Sequence, residues 1–370
     1  MHPELSYQEF ETSAFIQQKL TEIGIPFEVK AKTGIVGMIH GGTEGPCIAL
    51  RGDIDALPIQ ETNDAAYASI NTDVMHACGH DVHTTCLLGA AMILNEVKDK
   101  LKGSVKLIFQ LGEERLPGGA TLMIEEGVLK NPAPKRIFGQ HVFPEMVVGK
   151  VGFRSGPYMA SADEIYLTVK GRGGHAAMPD KNIDTVLIAA NIISGLQQLV
   201  SRRSDPKMPT VLSIGRVEAL GATNIIPEKV EMAGTFRTFD EGWRFRAHQL
   251  IKDFAQHTAE ASGGYCEVDI KVGYPFVDND NESTQEAKTA AKEYLGEDNV
   301  VDLDMRMTAE DFAFYTQEIP GSFYRLGVRS SMDAEERGLH TSTFDVDEKC
   351  LPIGAGLMAY ITMKQLKYEI

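Results

Sequence analysis

The stretch Ser104-Val-Lys-Leu-Ile-Phe-Gln-Leu-Gly-Glu-Glu114 changes from apolar to acidic over a few residues. Apolar side chains recur at every second position from Val105 to Leu111, which is the period of a β-strand. The strand is predicted to break at Glu113 and Glu114. Ligands in open α/β sheets bind just beyond the carboxyl ends of the strands, so in such a sheet Glu113 and Glu114 would lie at the ligand-binding edge.

Neighbouring segments repeat this alternation of strands and helices. A short apolar run, Ile48–Leu50, breaks into charge at Asp53, and a later strand is predicted to end at His141. Helical spacing follows His83 and stops near Gly103. Strands and helices in alternation predict a mostly parallel sheet with helices on both faces.

The middle of the chain has a different order of elements. From residue 159 to 275 the pattern is strand, helix, strand, strand, helix, strand, which is the order of a ferredoxin-like α+β domain. The tail then returns to α/β patterning. We therefore predict a catalytic α/β domain formed by residues 1–158 and 276–370, into which a second domain, residues 159–275, is inserted.

The charge and the apolar content exclude two classes of partner. A formal net charge of −16 repels the phosphates of nucleic acid and anionic lipid. No apolar run reaches the roughly 18 residues of a membrane span, and the start lacks the basic and apolar regions of a secretory signal. The five dispersed cysteines predict reduced thiols. We expect a cytoplasmic protein that binds neither nucleic acid nor membrane.

Metal-binding side chains crowd the segment His76-Ala-Cys-Gly-His-Asp-Val-His83. This segment and the predicted strand ends supply thiolate, imidazole and carboxylate groups that zinc accepts. More donors are present than one tetrahedral site with an open position requires, which suits two metal ions roughly 3.5–4 Å apart. The donors are Cys78, His80, Glu114, His141 and His340. Glu113, next to a proposed ligand, is the candidate general base.

Each of these residues also has a purely structural interpretation. A single histidine is more often a hydrogen-bonded structural residue than a ligand, and a free cysteine is usually a small buried apolar residue. Spacing alone leaves Cys78 and His80 balanced between the two interpretations. The glycines around His175 are typical of a tight turn. The structural interpretation is preferred for His76, His83, His248 and His257.

Motifs in a fixed order carry a resemblance to a known family. They are "RGDIDALP", "HACGHDVH", "GEE" followed by "GGA", "HVFP", "GPYMASAD", "GRGGHAAMPD", "TNIIPE", "GTFRTFD" and "GLHTSTF". From "HPELSYQEFET" to "GLHTSTFDVDE" the chain resembles the amidohydrolase branch of the M20 metallopeptidases, which includes N-acyl-amino-acid amidohydrolases, hippurate hydrolases and N-acetyl-diaminopimelate deacetylases. The resemblance implies a zinc-peptidase-like α/β/α catalytic domain with an inserted ferredoxin-like domain through which the chain dimerises.

The resemblance also implies roles for individual residues. Glu113 matches the general base of the family, and His175 matches a histidine that family members send into the partner's active site. Asn224 and Arg237 match positions near the substrate carboxylate. The family's metal ligands match Cys78, His80, Glu114, His141 and His340. Residues expected to orient these ligands from behind are Asp53, Asp55 and Asp81.

The implied activity is metal-dependent hydrolysis of the amide bond of N-acyl L-amino acids, with an acetyl or aroyl acyl group. The implied assembly is a homodimer with two divalent metal ions per subunit, zinc first and manganese, cobalt or nickel as alternatives. The substrate is expected to be a small N-acyl amino acid or a short peptide. A dipeptidase or carboxypeptidase of the same family is one alternative, and a non-catalytic M20-like binding protein is another. Family members carry a further helical segment before the position of "MHPEL", so the start is expected to be short or trimmed.

Overall fold

The computed structural model describes residues 1–368, which form helices and strands in alternation. The α-helices are α1 Phe10–Glu22, α2 His80–Glu96, α3 Gly119–Glu125, α4 Thr185–Gln198, α5 Glu241–Ala261, α6 Asn281–Leu295, α7 Ala313–Glu318 and α8 Cys350–Gln365. The strands before residue 160 are β1 Phe27–Lys30, β2 Gly34–His40, β3 Thr43–Asp53, β4 Lys102–Gln110, β5 Pro134–Val147, β6 Val151–Phe153 and β7 Gly156–Met159. The later strands are β8 Asp163–Lys170, β9 Gly174–His175, β10 Thr210–Glu218, β11 Ile225–Ile226, β12 Lys229–Thr238, β13 Tyr265–Val272, β14 Val277–Asn279, β15 Val300–Asp302 and β16 Gly321–Arg329.

The described chain divides into two compact units. The first comprises Met1–Tyr158, Val277–Met305 and the chain from Glu310 onward. Its eight-stranded sheet has the order β1-β2-β4-β3-β5-β16-β6-β15. The central pairs β4–β3, β3–β5 and β5–β16 are parallel, whereas β1–β2, β2–β4 and β16–β6 are antiparallel. The predicted α/β class, with a parallel centre to the sheet, is confirmed.

The burial of side chains on both faces of strand β4 explains why its sequence suits the centre of the sheet. The alternation that predicted it is incomplete, because Ile108 is buried together with its neighbours Leu107 and Phe109. A parallel strand with helices on both faces of its sheet buries both sets of side chains. Lys106, in the middle of the strand, is also buried, and its Nζ donates to the backbone oxygens of Val128, Lys130 and Pro132 at 2.7–2.9 Å.

The predicted end of a strand at His141 was wrong. Strand β5 continues to Val147, because β16 pairs with it beyond His141 as far as that residue. On the opposite side, its pairing with β3 stops at Gly139. His141 therefore lies two residues past the last β3–β5 pair, level with the carboxyl end of β3 at Asp53, although its own strand runs on.

The second unit comprises Met159–Phe276 together with Arg306–Ala309. Its sheet has the order β10-β12-β8-β13, and all three pairings are antiparallel. Helices α4 and α5 begin at aspartate N-caps: Asp184 accepts from the Leu187 N–H at 2.9 Å and Asp240 from the Trp243 N–H at 2.5 Å. The order of elements confirms the predicted ferredoxin-like fold, while its role in dimerisation stays a prediction.

None of the helices in the described chain combines the length and the apolar character needed to cross a membrane.

Candidate metal centre

The start of α2 places two donor side chains close together. Cys78 lies in the loop before the helix and His80 is its first residue, with Gly79 between them in the left-handed region at φ 80°. A Cβ at Gly79 would lie 2.6 Å from Cγ2 of Val142, so a side chain at this position would be strained and crowded. The glycine lets the Cys-Gly-His turn approach β5, which carries His141.

The structure brings all five predicted donors together. Sγ of Cys78 lies 3.4 Å from Nε2 of His141 and 3.4 Å from Nε2 of His340. Oε1 of Glu114 lies 3.3 Å from Nε2 of His340 and 3.9 Å from Nε2 of His80. The five donors form two groups of three, and the donor atoms of each group lie within 4.8 Å of one another. One group is Cys78, His80 and His141, and the other is Cys78, Glu114 and His340. The two groups share the thiol of Cys78.

The distances between the donors and the buried polar atoms without hydrogen-bond partners both fit a bound metal ion. Zinc–sulfur and zinc–nitrogen bonds of about 2.3 and 2.0–2.1 Å at a tetrahedral angle separate the two donors by about 3.5 Å, close to the distances around Cys78. Nε2 of His80 and Oε1 of Glu114 are buried, and within the described chain neither has a hydrogen-bond partner. Buried polar atoms without partners are costly, and a cation between them would remove that cost.

In two of the imidazoles, a hydrogen bond at Nδ1 fixes the orientation of the ring and therefore the direction of Nε2. Nδ1 of His80 donates to Oδ1 of Asp55 at 3.1 Å, and Nδ1 of His141 donates to the backbone oxygen of Val142 at 2.8 Å. Each ring therefore presents the lone pair of Nε2 to the cluster. The contact of Asp55 with His80 is the one that its predicted orienting role requires, and the role itself stays a prediction.

His83 lies beside these ligands, but both of its nitrogens are occupied. Nδ1 donates to Oδ1 of Asp53 at 2.6 Å, and Nε2 accepts from the Val142 N–H at 2.9 Å. Because Nε2 accepts, the ring proton lies on Nδ1, and burial lowers the pKa of His83. It supports Asp53 and β5 and offers no free lone pair to a metal, which agrees with the structural interpretation of this histidine.

The charges around Cys78 favour a cation. Burial, followed by the carboxylate of Glu114, raises the pKa of the Cys78 thiol to about 12. Burial opposes a charge on His80, yet Asp53 and Cys78 raise its pKa well above the usual value. The acidic surroundings thus stabilise positive charge at this position, and a bound metal supplies that charge while stabilising the thiolate.

A family model described as Peptidase family M20/M25/M40 matches residues 49–364. The chain belongs to the M20 peptidase family. An N-acetylcysteine deacetylase of Bacillus subtilis is 40% identical to this M20 chain over 364 residues, which are 98% of the chain and 93% of the relative. Thermostable carboxypeptidase 2 of Saccharolobus solfataricus is 37% identical over 367 residues, 98% of the chain and 92% of the relative.

A solved structure agrees with these relatives. A dinuclear metal-binding peptidase of the M20 family from Bacillus subtilis superimposes with a TM-score of 0.84 at 37% identity, covering 100% of this chain and 95% of that one. The family, the predicted fold and the class of enzyme are therefore confirmed. This M20 chain is a metal-dependent amidohydrolase or peptidase.

Glu113 is buried beside the donors of this M20 site. One of its carboxylate oxygens lies within 4.8 Å of the donor atoms of His80 and Glu114. Its Oε1 accepts from the Asp311 N–H at 3.4 Å. Burial, followed by the charges of Glu310 and Glu114, raises the pKa of Glu113 well above the usual range. A carboxylate with raised proton affinity is suited to accept a proton.

Sequence reasoning missed the acidic pair Glu310–Asp311. Both residues are buried, and both bind the guanidinium of Arg51, with Nη2 at 3.0 Å from Glu310 and 2.7 Å from Asp311. Nη1 of the same Arg51 reaches Asp53 at 2.5 Å. Burial raises the pKa of Glu310 to about 8 against the opposing charge of Arg51. Two adjacent acidic residues before the apolar Phe312 were the available signal, the same kind of signal as Glu113–Glu114.

The predicted orienting aspartates have different surroundings. Burial would raise the pKa of Asp53, but Arg51 and two histidines hold it well below its usual range. Oδ2 of Asp55 accepts from the Glu114 N–H at 3.0 Å, so Asp55 links two of the candidate ligands. Asp81 is exposed on the first turn of α2, where it accepts from the Val82 N–H at 3.0 Å. The structure does not bring Asp81 to the donor cluster.

Three further predicted residues lie in the second unit. His175 is exposed on β9 and pairs with Ile225 of β11. The backbone oxygen of Asn224 accepts from the Ala176 N–H at 3.0 Å, which places Asn224 beside His175. Arg237, on β12, is half-buried, and its Nη1 donates to the backbone oxygen of Met307 at 2.9 Å.

Proposed function

We propose that the chain hydrolyses the amide bond of N-acyl L-amino acids, with an acetyl or aroyl acyl group. The observation that carries the proposal is the pair of three-donor groups that share Cys78, with Glu113 buried beside them. The five donors would hold two divalent metal ions, zinc first, with manganese, cobalt or nickel as alternatives. The deacetylase activity named for the Bacillus relative supports this substrate class.

Each residue of the site has its own proposed role in the reaction. When bound, a metal pair lowers the pKa of a water molecule and polarises the amide carbonyl. Glu113 accepts the proton that the attacking water loses and returns it to the leaving amine, so the proton is conserved through the cycle. Asn224 and Arg237 are proposed to bind the carboxylate of the amino acid.

His175 is proposed to stabilise the oxyanion in the active site of a partner subunit. Its Nδ1 accepts from the Ala177 N–H at 3.1 Å, so the proton of the neutral ring lies on Nε2. The backbone oxygen of His175 accepts from Asn182 at 2.9 Å, which fixes the turn around it. An exposed, oriented N–H donor is suited to an oxyanion formed on another chain. A two-fold homodimer through the inserted domain would make the exchange reciprocal.

Mixed dimers test the exchange. His175→Ala and Glu113→Gln should each be inactive as homodimers. In a mixed dimer one site would hold both defects and the other would be intact, so activity should return towards half that of the wild type. Hydrolysis rates of the mixture, with subunit exchange followed by native mass spectrometry, give the answer. Complete exchange without recovered activity would show that His175 acts within its own subunit or not at all.

A carboxypeptidase or dipeptidase is the second candidate, since the thermostable carboxypeptidase of Saccharolobus solfataricus is similar over nearly the whole chain. The chemistry at the metal centre would be the same, and the pocket around the acyl group would decide between the two.

A hydrolysis screen tests the proposed function. The metal-free protein is reloaded with Zn²⁺, Mn²⁺, Co²⁺ or Ni²⁺ and given N-acetyl amino acids, N-benzoyl amino acids and dipeptides. We expect the highest kcat/KM on an N-acyl amino acid. Faster cleavage of dipeptides would favour the second candidate. Metal binding without turnover of any substrate class would contradict both and leave a non-catalytic binding protein.

A further inference from the structure

We propose that the segment Leu5–Glu9, called here the N-terminal brace, positions the loop Gly112–Gly118 that carries Glu113 and Glu114. Tyr7 and Glu9 are its positioning residues, and neither is assigned a part in the reaction itself. The inference rests on the proposed roles of Glu113 and Glu114.

The carboxylate of Glu9 holds the beginning of this loop. Glu9 is fully buried, and its Oε1 accepts from the Gly112 N–H at 2.9 Å and from the Tyr7 N–H at 2.8 Å. Its Oε2 accepts from Thr33 Oγ1 at 2.8 Å. A buried carboxylate that meets three donors is held in one orientation. Gly112 directly precedes Glu113, so Glu9 fixes the backbone from which the candidate base extends.

Glu9 is free for this contact because another residue caps α1. Glu9 occupies the N-cap position of the helix but makes no side-chain capping bond. The carboxylate of Glu4 accepts from the Glu11 N–H at 3.1 Å and from the Thr12 N–H at 2.8 Å instead. A short polar side chain at the N-cap commonly accepts from the first-turn N–H groups of its helix. Here that task has passed to Glu4, and the side chain of Glu9 reaches the loop.

The hydroxyl of Tyr7 holds the far end of the same loop. It donates to the backbone oxygen of Arg115 and accepts from the Gly118 N–H at 3.1 Å. These two backbone groups flank the turn that follows Glu114. Glu9 and Tyr7 therefore bind the loop on both sides of the two functional glutamates.

The brace and the loop also fit each other sterically. Tyr7 has a left-handed backbone at φ 68°, which is costly for a bulky residue. Gly112 is likewise left-handed at φ 58°, and a Cβ there would lie 2.4 Å from Cε1 of Tyr7. The ring thus packs directly on the backbone of Gly112. Backbone strain of this kind persists where surrounding contacts hold it, and it concentrates at functional sites.

The brace also contacts Asp55, the carboxylate that binds Nδ1 of His80. Oγ of Ser6 donates to Oδ2 of Asp55 at 2.7 Å. The same Oδ2 accepts from the Glu114 N–H, and Oδ1 accepts from His80. A single short segment of chain therefore supports the backbone of the loop and the carboxylate that orients His80.

Tyr7→Phe tests the brace by removing one hydroxyl. Because outer contacts of metal ligands typically contribute about 10–100-fold in metal affinity, we expect the Kd for Zn²⁺ to rise by about that factor. On a substrate that the wild type hydrolyses, kcat should fall by about 10–100-fold with KM little changed. Competition titration against a chromophoric chelator measures the affinity, and steady-state kinetics at saturating Zn²⁺ measure kcat.

Tyr360→Phe is the matched control. It removes a tyrosine hydroxyl on α8 that donates to Glu293 at 3.0 Å, outside the loop and its ligands. Its Zn²⁺ affinity and kcat should equal those of the wild type. A fall as large as that of Tyr7→Phe would overturn the brace, because the effect would not be specific to the loop.

Two substitutions of Glu9 distinguish a positioning role of its side chain from an effect of its charge. Glu9→Gln keeps an oxygen that accepts from Gly112 and should retain nearly all of the Zn²⁺ affinity and kcat, whereas Glu9→Ala should lose both. Equal losses in these two variants would overturn the positioning role of Glu9. Wild-type Zn²⁺ affinity and kcat in Tyr7→Phe would overturn the brace as a whole. If the wild type hydrolysed no N-acyl amino acid or dipeptide, the proposed function would fail, while the Zn²⁺ affinities would still decide whether the brace exists.

Discussion

Glu113→Gln should lower kcat by about 10²–10⁴-fold, the usual cost of a lost general acid–base, and leave the metal content unchanged. The amide has the shape of the carboxylate but does not accept the proton of the attacking water. Glu113 is buried, and its Oε1 accepts from the backbone of Asp311, so the amide should occupy the same position. Steady-state kinetics and metal analysis on one preparation measure both quantities.

Glu114→Gln is the matched control for this variant. Oε1 of Glu114 is buried without a hydrogen-bond partner in the described chain and lies 3.3 Å from Nε2 of His340. Its substitution should weaken metal binding, whereas that of Glu113 should not. Near wild-type turnover in Glu113→Gln would show that the base is misassigned. Loss of metal from Glu113→Gln would move that residue into the ligand set.

His80→Ala should lose at least one metal ion per chain and nearly all activity. Nε2 of His80 is buried without a hydrogen-bond partner in the described chain, and it belongs to the group that contains Cys78 and His141. The fall in metal affinity should exceed the roughly 10–100-fold change that follows the removal of an outer contact. Metal content measured after dialysis, together with kcat, checks the prediction. Cys78→Ser should behave in the same way.

His83→Ala provides the comparison within the same helix. His83 is as buried as His80, but its nitrogens bind Asp53 and the backbone of Val142. Its removal should lower the free energy of unfolding while a folded sample retains its metal. Undiminished metal in both His80→Ala and Cys78→Ser would contradict the ligand assignment. So would a metal loss in folded His83→Ala equal to that in His80→Ala.

Local patterns mark part of the proposed donor set, but none singles out His340, and spacing alone leaves Cys78 and His80 balanced between ligand and structural residue. Glu113 and Glu114 follow a strand whose period is visible, and Cys78 and His80 lie at the start of a helix with apolar residues at helical spacing. The carboxyl edge of a parallel sheet then brings such positions together without knowledge of side-chain contacts. The roles of His175, Asn224 and Arg237 came from the family resemblance, since nothing in their local spacing indicates them.

Contacts between distant segments were beyond the reach of local patterns. The end of β5 was misplaced because its extension depends on pairing with β16, nearly two hundred residues later in the chain. The buried group around Arg51 joins β3 to Glu310 and Asp311, whose acidic side chains suggest a solvated surface when read alone. Glu9 has the sequence position of a helix cap, and only the fold shows that its carboxylate binds the loop at Gly112.

Metal titration of the hydrolysis rate tests the central claim most directly. Metal-free protein at a concentration far above the Kd is titrated with Zn²⁺ while the hydrolysis of an N-acetyl amino acid is followed. A site built from two three-donor groups that share Cys78 predicts a rate that rises to a plateau at two equivalents per chain. A plateau at one equivalent, or a rate independent of added metal, would contradict a two-metal hydrolase.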